Sequence, residues 1–290
     1  MDNKLWLTSG EEREALFKKK YQNVEWVGSK HGIIKRGQDL IRNRIPGGGQ
    51  VAVIQGYFAL NEALVTGKHF EALLVCLEEI IGAEGWRLLD SVYNNGVPIY
   101  VISKKTMALL EEAGGSAGLI GYISLPYHQL ESLKNEDGLL IILDGVEIPG
   151  NVGTILRSAD AVGAKGIVLY RRKVRITHPK LLRASLTAAY RVPIIWEDDF
   201  EKLKLFLESR KYNIILADAT GGTPYYKTKF PQKTALVLGS EKYGISESFY
   251  GLAHERTYLP MLGDMDSLNV GVAATVLMYE AGFYSDRHSK

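Results

Sequence analysis

GLLIILDGVEIPGNVGTILR, residues 138–157, is the segment from which the expected fold follows. Leu139 to Leu143 is a continuous apolar run of strand length, and Val152 to Ala164 has apolar residues at helical spacing. Ile167 to Tyr170 has the pattern of a strand again. Short apolar strands that alternate with helices predict an α/β fold with a parallel sheet covered on both faces.

The same alternation continues on both sides of this segment. Toward the C-terminus, the pattern predicts a helix at Asp198 to Ser209, strands at Ile214 to Ala217 and Ala235 to Leu238, and a final helix at Val270 to Tyr284. A smaller α/β unit precedes it, with predicted strands at Val51 to Ile54, Ala72 to Leu77 and Val97 to Ile102 and helices at Asn61 to Thr66 and Ala83 to Tyr93. The glycine-rich segment Ala113 to Gly118 is the best linker candidate, and its alternative interpretation is a loop over a site. We therefore expect two domains, residues 1–125 and 126–290.

The composition is that of an ordinary globular protein. The 290 residues are 46% hydrophobic and 23% charged with a net charge of +2, which excludes wholesale disorder and collagen-like repeats. No apolar run approaches the about 18 residues that span a bilayer, and residues 1–20 lack the apolar core of a secretory signal. Cys76 is the only cysteine, so a disulfide scaffold is excluded and a reducing, cytoplasmic location is expected.

The loop after the first apolar strand places glycine and proline at the start of a helix. Exposed amides at a helix N-terminus can bind an anion, whereas the simpler interpretation is an ordinary turn with Asn151 as the N-cap. Arg157 lies about one and a half turns into this helix. It is either a solvated surface charge or directed toward the strand ends, where ligands bind in open α/β sheets.

Two further loops follow predicted strands of the same domain. Leu238 to Ser246 runs from a strand into a glycine-rich turn, and Tyr258 to Asn269 leads into the final helix, which Ser267 could cap. Each loop alone is explained as a turn. Three such loops at strand exits together indicate a binding site.

Other site patterns fail. The histidines are scattered and no zinc-ligand spacing occurs. The G-x-G-x-x-G dinucleotide fingerprint, the phosphate-binding G-x-x-x-x-G-K-[ST] loop and the G-x-S-x-G elbow are missing from the sequence. Asp264, Asp266 and Glu241 have the chemistry of metal ligands, but loop surface positions explain them better, so no metal is expected.

The three loops resemble, in order, the three motifs of the SpoU family of the SPOUT superfamily, whose members are S-adenosylmethionine-dependent RNA ribose 2′-O-methyltransferases. The matching segments are Asn151-x-Gly-x-x-x-Arg157, Leu238-Gly239-Ser240-Glu241, and Leu259-Pro260-Met261 with Ser267-Leu268-Asn269-Val270. The resemblance covers residues 138–285. Residues 1–130 resemble, more weakly, the small α/β/α RNA-binding module of many relatives, most clearly at Gly56 to Leu64.

This resemblance implies a C-terminal trefoil knot, a homodimer and S-adenosylmethionine as the cofactor. The residues that would line the cofactor pocket are Gly239, Leu259, Met261 and Leu268, and glycine at position 239 would permit close approach of the cofactor. The residues of the reactive surface would be Asn151, Arg157, Glu241, Ser267 and Asn269. Lys242 and Tyr243 depart from the family pattern, which often has glycine after the acid, and this departure is expected to alter RNA contacts.

The expected reaction is an in-line transfer of a methyl group from a sulfonium to a ribose 2′-hydroxyl, which requires alignment of oxygen, methyl and sulfur. Because the pKa of a guanidinium exceeds ~12, Arg157 is expected to stabilise developing negative charge and orient the ribose, in its own site or in that of a partner subunit. A role as a base would require strong burial.

RNA is the expected partner, and ribosomal RNA is favoured by the two-part layout with a basic N-terminal arm. A run without acids is either a solvated face or a surface that tracks phosphates, and it consists of Arg171, Arg172, Lys173, Arg175, Lys180, Arg183 and Arg191. The alternatives are a transfer-RNA 2′-O-methyltransferase and a non-catalytic RNA-binding protein, which the intact motifs disfavour. A nucleotide-binding oxidoreductase is disfavoured by the missing fingerprint.

Overall fold

A computed structural model describes residue 8 and residues 10–44, 50–80, 82–111 and 115–284. The chain divides into two units, Met1–Pro126 and Tyr127–Lys290. The linker candidate Ala113 to Gly118 extends into residues outside the described ranges, and its described part lies within the first unit. Ser116 there is fully buried and donates to the Glu111 carboxylate, so the described residues 115–118 pack within the first unit.

The sheet of the first unit mixes parallel and antiparallel strands. Its strands are β1 (Val24–Trp26), β2 (Val51–Gln55), β3 (Phe70–Val75), β4 (Ile99–Val101) and β5 (Leu119–Ser124), in the spatial order β1-β4-β3-β5-β2. Its helices are α1 (Gly10–Lys20), α2 (Gly32–Ile41), α3 (Tyr57–Val65), α4 (Gly82–Asn94) and α5 (Lys104–Met107). The sequence did not predict β5, which runs antiparallel to β2 and β3. Gly121 interrupts its apolar pattern, and the Leu60 side chain fills the space where a Cβ would lie.

The sheet of the second unit is parallel in every strand pair that the structure describes, which confirms the α/β class and the parallel sheet. Its strands are β6 (Gly138–Asp144), β7 (Gly166–Tyr170), β8 (Ile194–Trp196), β9 (Asn213–Ala217), β10 (Thr223–Pro224), β11 (Lys233–Gly239) and β12 (His254–Tyr258), in the order β10-β12-β9-β11-β6-β7-β8. The helices are α6 (Pro149–Ala161), α7 (Pro179–Ser185), α8 (Ala188–Arg191), α9 (Phe200–Ser209), α10 (Glu247–Tyr250) and α11 (Val270–Gly282). Since the strands are parallel, their carboxyl ends share one edge of the sheet.

The burial of the central strands β6 and β11 explains why the sequence pattern predicted them. Leu140, Ile142, Ala235 and Val237 are fully buried in one core cluster, and the neighbouring Ile141 and Leu236 on the opposite face are equally buried. Strands covered on both faces have continuous apolar sequences. The helix after β6 begins at Pro149, three residues before the predicted start, because proline fits the first turn of a helix.

Helix α6 is packed tightly against α7 at a glycine. A Cβ built on Gly153 would lie 2.6 Å from both the Ala184 Cβ and the Leu181 carbonyl oxygen. Real Cβ atoms do not approach backbone this closely, so only glycine allows the observed distance between the two helices.

Helix α6 contacts α11 through small side chains. Ser158 Oγ lies 2.7 Å from Thr275 Oγ1, and a Cβ on Gly271 would lie 3.3 Å from the Thr154 Cβ. These contacts fix the N-terminal end of α11 beside the N-terminal half of α6.

The carboxyl ends of β9 and β12 are joined by a buried carboxylate. Asp218, directly after β9, accepts hydrogen bonds from Thr220 Oγ1 at 2.7 Å and from Tyr250 Oη at 2.5 Å, and pairs with Arg256 Nη2 at 2.7 Å. Burial alone would raise the pKa of Asp218, but the hydrogen bonds from Tyr250 and Thr220 and the charge of Arg256 outweigh it and lower that pKa. Burial and the neighbouring Asp218 carboxylate raise the pKa of Tyr250 to about 12, so the phenol remains a donor at neutral pH.

The α6–α7 contact predicts that Gly153→Ala destabilises the protein. The added methyl group must displace α7 backbone, and overpacking of this kind costs about 1–3 kcal/mol. Gly150→Ala in the same helix is the matched control, because its Cβ would meet nothing within 4 Å. Urea unfolding followed by circular dichroism is the measurement, with a lower midpoint for Gly153→Ala and an unchanged or higher midpoint for Gly150→Ala. Equal midpoints for the two variants would contradict this packing.

The Asp218 network predicts a stability difference that depends on pH. Asp218→Asn should lower the free energy of unfolding at pH 7 by about 1–3 kcal/mol, since Arg256 loses its charged acceptor. The pKa of Asp218 is lowered in the folded state, so its contribution is complete above the ordinary carboxyl pKa of about 4 and is lost as the pH falls through the folded value. Thermal unfolding of parent and variant between pH 3 and pH 8, a range set by those values, should show their difference narrowing at the acid end. A difference independent of pH would refute the role of the carboxylate charge.

Candidate functional site

A cavity of about 860 Å³ opens at the carboxyl edge of β9, β11 and β12. Its volume is within the about 300–1,000 Å³ typical of small-molecule sites. The structure brings together in its lining the residues that the sequence predicted for a cofactor pocket, namely Gly239, Leu259, Met261 and Leu268. Of the predicted reactive residues, Glu241, Ser267 and Asn269 line the same cavity, whereas Asn151 and Arg157 do not.

Gly239 is required by the tight turn that follows β11. The amide of Ser240 donates to the Gly244 carbonyl and the amide of Gly244 donates to the Ser240 carbonyl, both at 3.0 Å, which closes a tight turn. A Cβ on Gly239 would lie 2.2 Å from the Gly244 carbonyl carbon and 2.3 Å from the Ile245 nitrogen. Glycine at position 239 therefore admits the protein's own turn, a requirement that the sequence did not reveal.

A chain of side-chain hydrogen bonds joins the three sequence motifs. The Gly271 amide donates to Asn269 Oδ1 at 2.9 Å, and Asn269 Nδ2 donates to Asn151 Oδ1 at 3.1 Å. Asn151 Nδ2 donates to Glu241 Oε1 at 2.6 Å, and the Glu147 amide donates to Glu241 Oε2 at 3.3 Å. Because each amide group has both its donor and its acceptor engaged, the orientation of both asparagines is fixed.

The N-caps differ from the sequence-based alternatives. The N-cap of α6 is Ile148, and Asn151 lies inside the helix with its side chain on Glu241, so its interpretation as an N-cap is wrong. The N-cap of α11 is Asn269, whose side chain takes the role considered for Ser267. Ser267 is exposed on the cavity wall, and its hydroxyl makes no hydrogen bond with the described part of the chain.

Arg157 stands apart from the other predicted reactive residues. It is exposed on α6 and forms no hydrogen bond or ion pair with any described residue. It lies about 9 Å along the helix from Asn151 at 1.5 Å per residue. One chain by itself therefore does not bring Arg157 into its own cavity.

The described residues form neither a cluster of metal ligands nor a membrane-spanning helix. Within the described ranges, no three His, Cys, Asp or Glu side chains are grouped as a metal ion requires, and the loop acids Asp264 and Asp266 are exposed. No helix in those ranges combines the length and the apolar character needed to cross a bilayer.

The sequence missed one wall of the cavity, formed by Asp218, Thr220, Tyr250 and Arg256. Asp218 directly follows the predicted strand at 214–217, so the rule that sites lie at strand exits would have found it. No signal pointed to Arg256, since β12 has no apolar run. Arg256 Nε is buried and has no hydrogen-bond acceptor among the described residues.

Comparison with known proteins identifies the family of this chain. Residues 138–279 match the SpoU rRNA Methylase family. A relative from Staphylococcus aureus (strain COL), assigned to the TrmH family of tRNA/rRNA methyltransferases, is 31% identical over 242 residues, which cover 81% of this chain and 96% of the relative.

Solved structures share the fold over both units. The AdoMet-bound rRNA methyltransferase from Sinorhizobium meliloti superimposes with a TM-score of 0.81 at 21% identity, covering 90% of this chain and 98% of that one. An RNA 2′-O ribose methyltransferase superimposes with a TM-score of 0.72 at 25% identity, covering 88% and 97%. With the family match and the relative in agreement, the chain belongs to the SpoU rRNA methylase family of RNA methyltransferases.

Proposed function

We propose that the protein transfers a methyl group from S-adenosylmethionine to a ribose 2′-hydroxyl of ribosomal RNA. The observation that carries the proposal is the hydrogen-bonded chain from Asn269 through Asn151 to Glu241, which lies beside the cavity with the predicted cofactor-binding residues. The names of the similar structures support it, since one is an AdoMet-bound rRNA methyltransferase and another an RNA 2′-O ribose methyltransferase.

The cavity fits this methyl donor. Leu238, Leu259 and Leu268 provide apolar surface for an adenine ring, and the carboxylates of Glu241 and Glu247 favour a cationic sulfonium. S-adenosylmethionine supplies an electrophilic methyl group when bound.

The residues divide into those that hold the site and those that contact the substrate. Asn151, Glu241 and Asn269 have their polar groups engaged with one another, so they fix the loops and orient the reaction partners. Ser267 retains a free hydroxyl among the described residues and hydrogen-bonds the nucleotide. Arg157 stabilises negative charge on the attacking oxygen, because its exposed guanidinium makes no ion pair with any described residue.

A homodimer accounts for the position of Arg157 outside its own cavity. Val272, Val276, Tyr279 and Phe283 line the outer face of α11 at helical spacing, and Tyr279 and Phe283 remain 47% and 43% exposed. Two-fold pairing through this face buries apolar surface and supplies Arg157 to the site of the partner subunit. A protein that sediments as a monomer and keeps its full methyl-transfer activity would exclude this pairing.

The C-terminal segment completes the proposed site as a trefoil knot. After β12, which lies next to the edge strand β10, the chain returns to the centre of the sheet, where α11 packs against α6, β6 and β11. This return supports threading of residues 259–270 through the preceding loop, although knots are nearly absent from other folds.

The first unit binds the RNA in this proposal. Its exposed cations Lys19, Arg42 and Arg44 have side chains without a partner among the described residues, whereas Lys18 and Lys20 are paired with acids. In the acid-free run of the second unit, Arg171 and Arg191 likewise pair with Asp144 and Asp160. The cations available for phosphate are therefore fewer than the sequence suggests.

The proposed chemistry predicts that Arg157→Ala slows methyl transfer by about 10² to 10³ while the affinity for S-adenosylmethionine stays the same. Arg157→Lys should restore little, because an ammonium lacks the planar fork of donors. Single-turnover transfer of labelled methyl to ribosomal RNA, calorimetry of donor binding and mass spectrometry of digested RNA are the measurements. Arg191→Ala, which removes an exposed arginine already paired with Asp160, is the control and should keep the parent rate. No donor binding by the parent, or a parent rate in Arg157→Ala, refutes the proposal.

The proposed role of the first unit predicts an effect on RNA binding alone. Replacing Lys19, Arg42 and Arg44 by alanine should weaken RNA binding and lower the slope of log K against log salt by about 0.9 for each lost phosphate contact. Donor affinity should not change. RNA binding at several salt concentrations is the measurement, with Lys18→Ala as a control whose charge is already paired. A slope equal to that of the parent excludes phosphate contacts by these residues.

A further inference from the structure

The turn after β11 carries a largely exposed aromatic side chain. Tyr243 is 69% exposed on the wall of the cavity, and no other described aromatic ring packs on it. The Nζ of the neighbouring Lys242 lies 4.9 Å from its ring centroid. A tyrosine and an ammonium group are therefore presented together at the cavity rim, next to Glu241.

The backbone beneath this ring is held rigidly. The Tyr243 amide donates to Ser240 Oγ at 3.0 Å, and the turn is closed by the paired hydrogen bonds between Ser240 and Gly244. Gly239 leaves no space between the turn and β11, since a Cβ there would meet the Gly244 backbone.

The far end of the turn is anchored by a buried charge. Asp144 is fully buried, accepts from the Ser246 amide at 2.6 Å and pairs with Arg171 Nε at 2.6 Å. A turn fixed at both ends loses little further entropy when a ligand binds its exposed ring.

We propose that Tyr243 stacks on an unpaired base of the RNA substrate and that Lys242 binds an adjacent phosphate, so that this turn positions the nucleotide to be methylated. The inference rests on the proposed function and names a positioning residue for it. An aromatic ring stacks on any base because every base has a π face, and an ammonium group attracts the backbone phosphate. Asn151 and Asn269 offer no group for this task, since their amides are engaged with Glu241 and with each other.

Three substitutions separate this role from a structural one. Tyr243→Ala should weaken RNA binding about tenfold or more and raise the KM for RNA, with donor affinity unchanged. Tyr243→Phe should behave as the parent, because stacking does not use the hydroxyl group. Leu205→Ala is the control, since Leu205 is 63% exposed on α9 and does not line the cavity. Thermal unfolding of all three shows whether the fold is kept.

A second measurement does not depend on methyl transfer and so remains informative if the proposed function fails. A single-stranded oligouridylate with one central 2-aminopurine is titrated with each variant, and stacking quenches the fluorescence of the analogue. The parent and Tyr243→Phe should quench it, whereas Tyr243→Ala should not. Loss of donor affinity in Tyr243→Ala with unchanged RNA binding would show that the ring covers the donor instead, and equal quenching by all variants would also overturn the inference. Failure of the proposed function looks different, because the parent itself then neither binds S-adenosylmethionine nor methylates RNA.

Discussion

The hydrogen bonds between Asn151, Glu241 and Asn269 connect loops that are far apart in the chain. Asn151 is separated from Glu241 by 90 positions and from Asn269 by 118. Each bond alone contributes about 0.5–1.5 kcal/mol, or somewhat more where it involves the carboxylate. Their effect on geometry is larger than this energy suggests, because they fix two amide groups and one carboxylate relative to the cavity wall.

Close approach of backbone makes these bonds possible. Gly153 lets α7 pack on α6, and Gly239 lets the following turn fold onto β11. Gly271 lets the side chains of Asn269 and Thr154 pack closely against the start of α11. The glycines in the recognised motifs therefore serve contacts within the protein.

The sequence predicted those parts of the site that follow strands buried on both faces. Strands β6 and β11 are covered on both faces, so their apolar runs are unmistakable and the loops at their ends could be grouped. Strand β12 reads HERTY and is only partly buried, which hid Arg256. The acids that neutralise Arg171 and Arg191 come from β6 and α6, and a count of charges along the chain cannot find such partners.

The polar side chains of the three motifs fall into two groups, those hydrogen-bonded within the protein and those without a partner among the described residues. A polar group that is already paired must break a bond before it binds substrate, whereas an unpaired exposed group need only lose water. By this criterion the amides of Asn151 and Asn269 are engaged within the protein, whereas Ser267 and Arg157 have no such partner among the described residues and suit the nucleotide contacts proposed above. Since Arg157 does not line its own cavity, the proposed contact with the substrate is made in a partner's site, and the apolar outer face of α11 offers the surface for that pairing.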